Sequence, residues 1–364
     1  SWKTPEHEGC TEVYRSVFSV LKLKGNVLRF VFITGITKFT QISLFSVLNH
    51  LTNISFLPQF APLCGITEEE LTVNFAPELE ALADKMECSI EEAHDKLKTY
   101  YDGYHFSDEN MTDIYNPFSL LNALSQLRLR NYWISSGATS MLNKFVNNME
   151  LRLHDFEDCY IDKDTLETSD VIEGGAELFL YQTGYLTIKG FDEDGYSLGF
   201  PNEEVRKALY KAVLPTLTQK DITDIISIQS RLMHSMNNGN LEEAKLCMKS
   251  LISNVPYSNK KLASMDMEER YRLIISTILN AIGCQVEVEH MLSTGRIDIV
   301  ASTSRFIYVV ELKLTNNGGL EAAEKQIISN GYLKPFLADG RKVIGLAVEL
   351  DDMGKGLIDW KEVK

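Results

Sequence analysis

The stretch Gly295-Arg296-Ile297-Asp298-Ile299-Val300-Ala301-Ser302-Thr303-Ser304-Arg305-Phe306-Ile307-Tyr308-Val309-Val310-Glu311-Leu312-Lys313-Leu314 reads as two strands joined by a polar turn. The strands are Arg296–Ala301 and Phe306–Leu314. Each carries charge among apolar neighbours: Asp298 in the first, Glu311 and Lys313 in the second. Side chains alternate along a strand, so Glu311 and Lys313 share a face. Charge inside an apolar strand is costly unless it is paired or metal-bound. If the two strands are neighbours, Asp298 lies across from Glu311. Two carboxylates with a nearby backbone carbonyl form a hard-oxygen site suited to Mg²⁺ or Mn²⁺. A metal there would activate water and offset charge developing on a phosphate. Lys313 would hold the attacking water or the scissile phosphate. The same three residues also suit a structural salt bridge, and their bare spacing favours that plainer role.

Outward from this stretch the pattern is regular. Glu268–Ile282 is a helix with Leu273, Ile274, Thr277, Ile278, Ala281 and Ile282 as its apolar stripe, and Gly283 is its stop. Val286 and Val288 alternate with Gln285, Glu287 and Glu289, as in a half-buried strand. Helix Leu320–Phe336 and strand Lys342–Leu350 follow, giving the order αβββαβ.

In that order, Asp298 and Glu311-Leu312-Lys313 on consecutive strands resemble the PD-(D/E)XK nuclease superfamily, with its restriction-endonuclease-like fold. More narrowly, Gly295–Asp298, Glu311–Lys313, Gln326-Ile327 and Gly331–Arg341 are similar to a bacterial family. In that family an AAA-ATPase-like N-terminal module is fused to a nuclease-like domain. Phe32–Phe39, Tyr101–Tyr104, Tyr115–Ser119 and Gly199–Asn202 match its pattern in order. The resemblance implies Asp298 and Glu311 as metal ligands and Lys313 as the catalytic lysine. It implies Glu269 as the first-helix acid and a third metal ligand, the plainer role being an exposed first-turn acid favoured by the helix dipole. Gln326 and Tyr332 match positions that hold substrate or order the site, with packing as the alternative. Thr34 and Thr37 fall where a polar ATPase sensor residue sits. The G-x-x-x-x-G-K-[ST] loop of that family does not occur in this sequence. ATP is therefore expected only in a longer protein that carries it, and the chain, which opens without Met, is expected to begin inside such a protein.

The remaining pattern suggests five parts: a partial AAA-ATPase-like α/β core over 1–60, a helical lid-like region over 61–130, a winged-helix-like region over 131–216, a helical hairpin connector over 217–256, and the nuclease-like domain over 257–364. The first part rests on helix Glu12–Leu23 and on Val27–Thr34, an apolar run like a strand buried on both faces. Thr67-Glu68-Glu69-Glu70 and Ser89-Ile90-Glu91-Glu92 fit the capping-box pattern and open helices Glu68–Val73 and Ile90–Tyr100. Pro117–Leu127 is a further helix. Tyr185–Lys189, the turn Asp192–Gly195 and Tyr196–Phe200 form a β-hairpin. Helix Glu203–Leu214 follows it, and Ile222–Met236 with Leu241–Ile252 is the helical hairpin. Pro256–Lys261 is a polar, turn-rich boundary. His105 suits turn packing better than catalysis.

Composition excludes several classes. With 44% hydrophobic and 24% charged residues the chain is an ordinary globular one. No apolar run approaches the roughly 18 residues of a membrane span, and the start lacks the apolar core of a signal peptide. The six cysteines form no C-x-x-C pair, which argues against a zinc site or disulfide scaffold and for a reduced, cytoplasmic protein. Nor is there an H-E-x-x-H or G-x-S-x-G motif. The net charge of −15 argues against a general nucleic-acid binder. From Tyr257 to Lys364, however, 14 basic residues stand against 15 acidic ones, so the acidity lies in the first two-thirds. Nucleic acid is expected at the C-terminal domain and a protein partner along the acidic remainder. Two functions remain open: a metal-dependent, phosphodiester-cleaving nuclease domain coupled to an ATPase-like regulatory module, or a catalytically inactive binding or effector protein of the same fold under an ATP-dependent switch.

Overall fold

The computed structural model describes residues 13, 16–21, 23–35, 51–133, 142, 153–168, 174–218, 220, 222–253 and 266–363. The chain divides into two compact units, one drawn from Ser1–Tyr132 and Asp155–Val205, the other from Trp133–His154 and Arg206–Lys364.

The first unit is built on helices α1 (Glu68–Asn74), α2 (Ala76–Met86), α3 (Ile90–Tyr101) and α4 (Pro117–Gln126). Both expected capping boxes form: Thr67 and Glu70, and Ser89 and Glu92, each satisfy one another's backbone N–H. Leu71, Leu82, Leu97, Tyr101, Tyr115 and Leu120 close the core between these helices. The sequence motifs of this unit meet one another. Asn116 donates its N–H to the Tyr101 carbonyl and caps α4 by accepting from Ser119 N. Asn202 Nδ2 donates to the Asp102 carbonyl at 3.0 Å, while its Oδ1 accepts from Val205 N. Gly103 has φ +91°, and a Cβ there would strike the Pro201 carbonyl. His105 is packed as expected, with Nδ1 2.8 Å from the Ile188 carbonyl and Nε2 2.7 Å from Asp113 Oδ1.

The second part of the unit holds a three-stranded antiparallel sheet of β3 (Cys159–Asp162), β4 (Thr187–Phe191) and β5 (Gly195–Gly199), in the order β3-β5-β4; β1 (Ile66–Thr67) and β2 (Ile114–Tyr115) pair separately. The expected hairpin is β4–β5. Asp192 Oδ1 ties its turn by accepting from Asp194 N, Gly195 N and Tyr160 OH. Helices α5 (Lys163–Thr168) and α6 (Gly175–Gln182) flank the sheet.

The N-terminal expectation is corrected. Val27–Thr34 forms no strand, Val27 and Phe30 are 70% and 80% exposed, and Thr34 is exposed coil. A strand buried on both faces needs neighbours, and no sheet among the described residues takes a strand from this run. The partial ATPase-like core, and Thr34 as its sensor, therefore find no support. Thr37 and the boundary Pro256–Lys261 lie outside the described residues.

The second unit contains α7 (Glu203–Thr218) from Arg206 onward, the hairpin α8 (Ile222–Asn238) and α9 (Leu241–Leu251), and then α10 (Met267–Ala281). Gly283 (φ +94°) stops α10 as expected. Strands β6 (Gln285–Leu292), β7 (Gly295–Ser302), β8 (Phe306–Leu314), β9 (Lys342–Leu350) and β10 (Leu357–Val363) form one sheet in the order β10-β9-β8-β7-β6, with α11 (Gly319–Ser329) between β8 and β9. Only the β8–β9 pair is parallel, as a β-helix-β crossover requires. Ile297, Val309, Ala323, Ile327, Tyr332 and Ala347 form the core between sheet and α11. The expected helix Leu320–Phe336 ends instead at Ser329, because Gly331 takes φ +62° and a 3₁₀ turn, Lys334–Phe336, follows. No described helix is long and apolar enough to cross a membrane.

Asp102 is 2% exposed, and neither carboxylate oxygen has a side-chain partner. Burial pushes its pKa up to about 6; Asp113 and Glu68 add to the shift, against the Gly103 N–H and Lys98. The folded group therefore holds its proton more tightly than the unfolded one, whose value is 3.8. Stability falls as pH rises from about 4 to about 6, and the full cost is present above that. Asp102→Asn is expected to be more stable than the parent at pH 7.5 by about 2–3 kcal/mol, and equal to it near pH 4. Urea denaturation of both proteins at the two pH values checks this. A difference that does not change with pH would refute it.

Candidate active site

The site arises where the sheet opens. β7 and β8 are paired only from Ile299–Ser302 to Ile307–Val310. One residue beyond, at Asp298 and Glu311, the ladder stops, while β8 stays paired to β9 through Leu314 and β7 to β6 through Gly295. The sheet thus parts between its two central strands. Asp298 Oδ2 accepts the Leu312 N–H at 2.8 Å, supplying the acceptor that the broken ladder no longer provides. Both carboxylates are buried, Glu311 at 1% exposure.

Lys313 Nζ donates to Glu311 Oε1 and to the Leu312 carbonyl, both at 2.9 Å, and lies 3.8 Å from Glu268 Oε1. Glu311 Oε2 has no hydrogen-bond partner. Burial pushes the Glu311 pKa up to about 7; Asp298 and Glu268 add to this and Lys313 opposes it. Burial would pull the Lys313 ammonium down, but Glu311, Asp298 and Glu268 outweigh it and hold its pKa above the ordinary value. Burial also raises Glu268, with Asp298 adding to the shift and Lys313 and Arg272 resisting it.

On α10 it is Glu268, the residue before the expected Glu269, whose carboxylate lies 3.8 Å from Lys313 Nζ. Successive helix residues point about 100° apart, so a shift of one position turns the side chain to a different side. Gln326 and Tyr332 lie one step removed. The buried Tyr332 hydroxyl donates to the Arg296 carbonyl at 2.9 Å and accepts from Gln326 Nε2 and Asn330 Nδ2. These bonds tie the start of β7.

Three residues not singled out from the sequence complete the cluster. Arg272, one turn after Glu268 on α10, has one guanidinium nitrogen 2.6 Å from Glu289 Oε1 and the other 3.2 Å from Asp298 Oδ1. Arg296 reaches the same Glu289 oxygen at 3.1 Å. Glu289 stands opposite Asp298 in the β6–β7 register, where pairing is interrupted, and takes φ +56°. A left-handed backbone inside a strand is strained for a residue with a Cβ, and such strain gathers at functional sites.

Among the described residues no three acidic, histidine or cysteine side chains already form a metal cage. The donors nonetheless fit a hard cation. Asp298, Glu311 and the Leu312 carbonyl offer oxygen donors, the kind a hard cation takes, and the buried Glu311 Oε2 lacks any partner in the protein.

Residues 266–360 match the family model of the PD-(D/E)XK nuclease superfamily. Over 353 residues, 95% of the chain, the sequence is 26% identical to a protein from Azotobacter chroococcum mcd 1 described as an uncharacterized protein in the vnfD 5' region. The chain spans 65% of that protein's length. No solved structure matches.

The Glu311–Lys313 pair is testable as a unit. Lys313→Met strands a buried carboxylate and is expected to cost about 3 kcal/mol of stability. The double variant Glu311→Gln/Lys313→Met is expected to regain most of that loss, so the two changes are strongly non-additive. Urea denaturation followed by tryptophan fluorescence reads the cycle, and simple additivity would contradict the pairing.

Proposed function

We propose that the C-terminal domain is a metal-dependent nuclease that hydrolyses phosphodiester bonds in nucleic acid. The observation that carries this reading is the unpartnered Glu311 carboxylate oxygen, buried beside Asp298 where the two central strands separate. A structural salt bridge has no use for that oxygen; a ligand does. The superfamily match over 266–360 supports the same reading.

Asp298, Glu311 and the Leu312 carbonyl would hold the cation, with Glu268, 3.8 Å from Lys313 Nζ, as a further acid beside them. A bound Mg²⁺ or Mn²⁺ supplies Lewis acidity, lowering the pKa of water and stabilising a charged phosphate. The protein's own part is electrostatic. Lys313 is kept protonated by three carboxylates, so it can orient the attacking water and offset charge on the phosphate oxygens. Asp298 is fixed by its bond to Leu312 N, which sets the direction of its other oxygen. Tyr332 and Gln326 hold the Arg296 carbonyl and with it the turn beside the opening. The basic and acidic residues of this domain nearly balance, so a polyanion meets less repulsion here than along the first two-thirds of the chain.

The test is a panel of labelled single- and double-stranded DNA and RNA incubated with the chain in Mg²⁺, in Mn²⁺ and in EDTA. Cleavage is expected with either metal and not in EDTA. Asp298→Asn, Glu311→Gln and Lys313→Met are each expected to lower the rate by at least about 10²-fold, the usual scale for losing one such group. Cleavage that survives Asp298→Asn, or none on any substrate with either metal, would overturn the reading.

A further inference from the structure

We propose that Arg272 is the resident counter-ion of this site and yields Asp298 to the metal, so that metal and phosphodiester are taken up together. The inference rests on the nuclease reading above and adds a regulatory element to it.

Asp298 has two carboxylate oxygens. Oδ2 is committed to the Leu312 N–H inside the sheet. Oδ1 is thus the oxygen left for a cation, and the Arg272 guanidinium lies 3.2 Å from it. A divalent ion on the same oxygen would place two like charges side by side in a largely buried setting, where water screens them poorly. One of the two must withdraw. Glu311 Oε2, which has no partner in the protein, would give a metal a second anchor, and Glu289 gives Arg272 one.

The surroundings of Arg272 suit a group that moves rather than a fixed bridge. Its bond to Glu289 is shared with Arg296 on the same oxygen, and its distance to Glu268 Oε1 is long, at 4.0 Å. Its Nε is buried without a hydrogen-bond partner. Glu289, the residue that tethers it, takes φ +56° directly across from Asp298. A guanidinium released from Asp298 keeps a planar fork of N–H donors that matches phosphate oxygens. Arg272 and Arg296, joined through Glu289, would then present two cations to the backbone of a nucleic acid. The free protein keeps its carboxylates neutralised, and the phosphate draws Arg272 off while the metal enters.

The experiment is calorimetric titration of Mn²⁺, alone and with a short phosphorothioate DNA duplex that resists cleavage. The native chain is expected to bind Mn²⁺ weakly alone and at least about tenfold more tightly with the duplex. In Arg272→Gln, Mn²⁺ alone is expected to bind about tenfold more tightly than in the native chain, and the duplex is expected to add little. Glu289→Gln loosens Arg272 without removing its charge, and serves if Arg272→Gln folds poorly by circular dichroism. Because it removes the anchor to which Arg272 withdraws, it is expected to weaken the binding of Mn²⁺ alone and to keep the coupling to the duplex. Equal Mn²⁺ affinity in native, Arg272→Gln and Glu289→Gln chains, with binding still lost in Asp298→Asn, would overturn the role of Arg272 and leave the nuclease reading standing. No Mn²⁺ binding to the native chain, with or without duplex, would overturn both.

Discussion

The second unit depends on one constraint: β7 and β8 must pair for four residues and then part. Pairing buries Ile299, Val300, Ala301, Ile307, Tyr308, Val309 and Val310, which anchors the centre of the sheet. Parting leaves Leu312 N without its ladder acceptor at a buried position. An unmet backbone donor there costs about as much as a lost hydrogen bond. Asp298 meets it with a side-chain oxygen. The aspartate therefore belongs to the fold through one oxygen, while the other faces the Arg272 guanidinium.

This arrangement concentrates negative charge. Glu268, Glu289, Asp298 and Glu311 converge, and Lys313, Arg272 and Arg296 stand among them. The alternation is electrically sound but incompletely satisfied. Glu311 keeps a carboxylate oxygen without a partner and Arg272 an N–H without one, both buried. A network built for stability alone closes such gaps, because each open one is destabilising in a low-dielectric interior. The raised pKa of Glu311 is the electrostatic measure of that deficit: burial and Asp298 oppose its charge more than Lys313 favours it. A cation seated between the carboxylates would remove the deficit.

Much of this was legible in the sequence. The order αβββαβ followed from apolar periodicity, and β8 and β9 were placed to the residue because long apolar strands bounded by polar turns leave little freedom. Asp298, Glu311 and Lys313 stood out because charge in such strands needs a reason. The failures have separate causes. Glu268, which approaches Lys313, is one position from the expected Glu269, and on a helix that is a rotation of about 100° that only packing fixes. Arg272 and Glu289 looked like ordinary surface charge: one lies on a helix whose stripe was already filled, the other at a polar position of an alternating strand. Their role depends on contacts across 17 residues of sequence. β10 was missed because its buried residues, Leu357, Trp360 and Val363, recur every third position across a register shift, which hides the period of two. Val27–Thr34 was misread because a continuous apolar run implies burial only where neighbours exist to cover it.

The same accounting separates the two kinds of motif residue in this chain. Asn116 and Asn202 have their side chains engaged at helix starts and in bonds to backbone, and Gly103 is required by a positive φ against a neighbouring carbonyl. Nothing about them remains to be explained, and the fold alone accounts for their identity. Asp102 and Glu311 are different: each is a buried carboxylate whose pKa is pushed up chiefly by burial, with an oxygen that no side chain meets. What distinguishes them is the company they keep. Around Asp102 the nearby charges are tied elsewhere, Asp113 to His105 and Glu68 to His94 and Tyr115, so its cost can be relieved by a proton alone. Around Glu311 a second carboxylate, a backbone carbonyl and a lysine converge beside a parting of strands. A proton would relieve Glu311 as well, but a multivalent cation could engage Asp298, Glu311 and the Leu312 carbonyl together, and that convergence is the physical ground for proposing the chemistry at the sheet rather than in the helical unit.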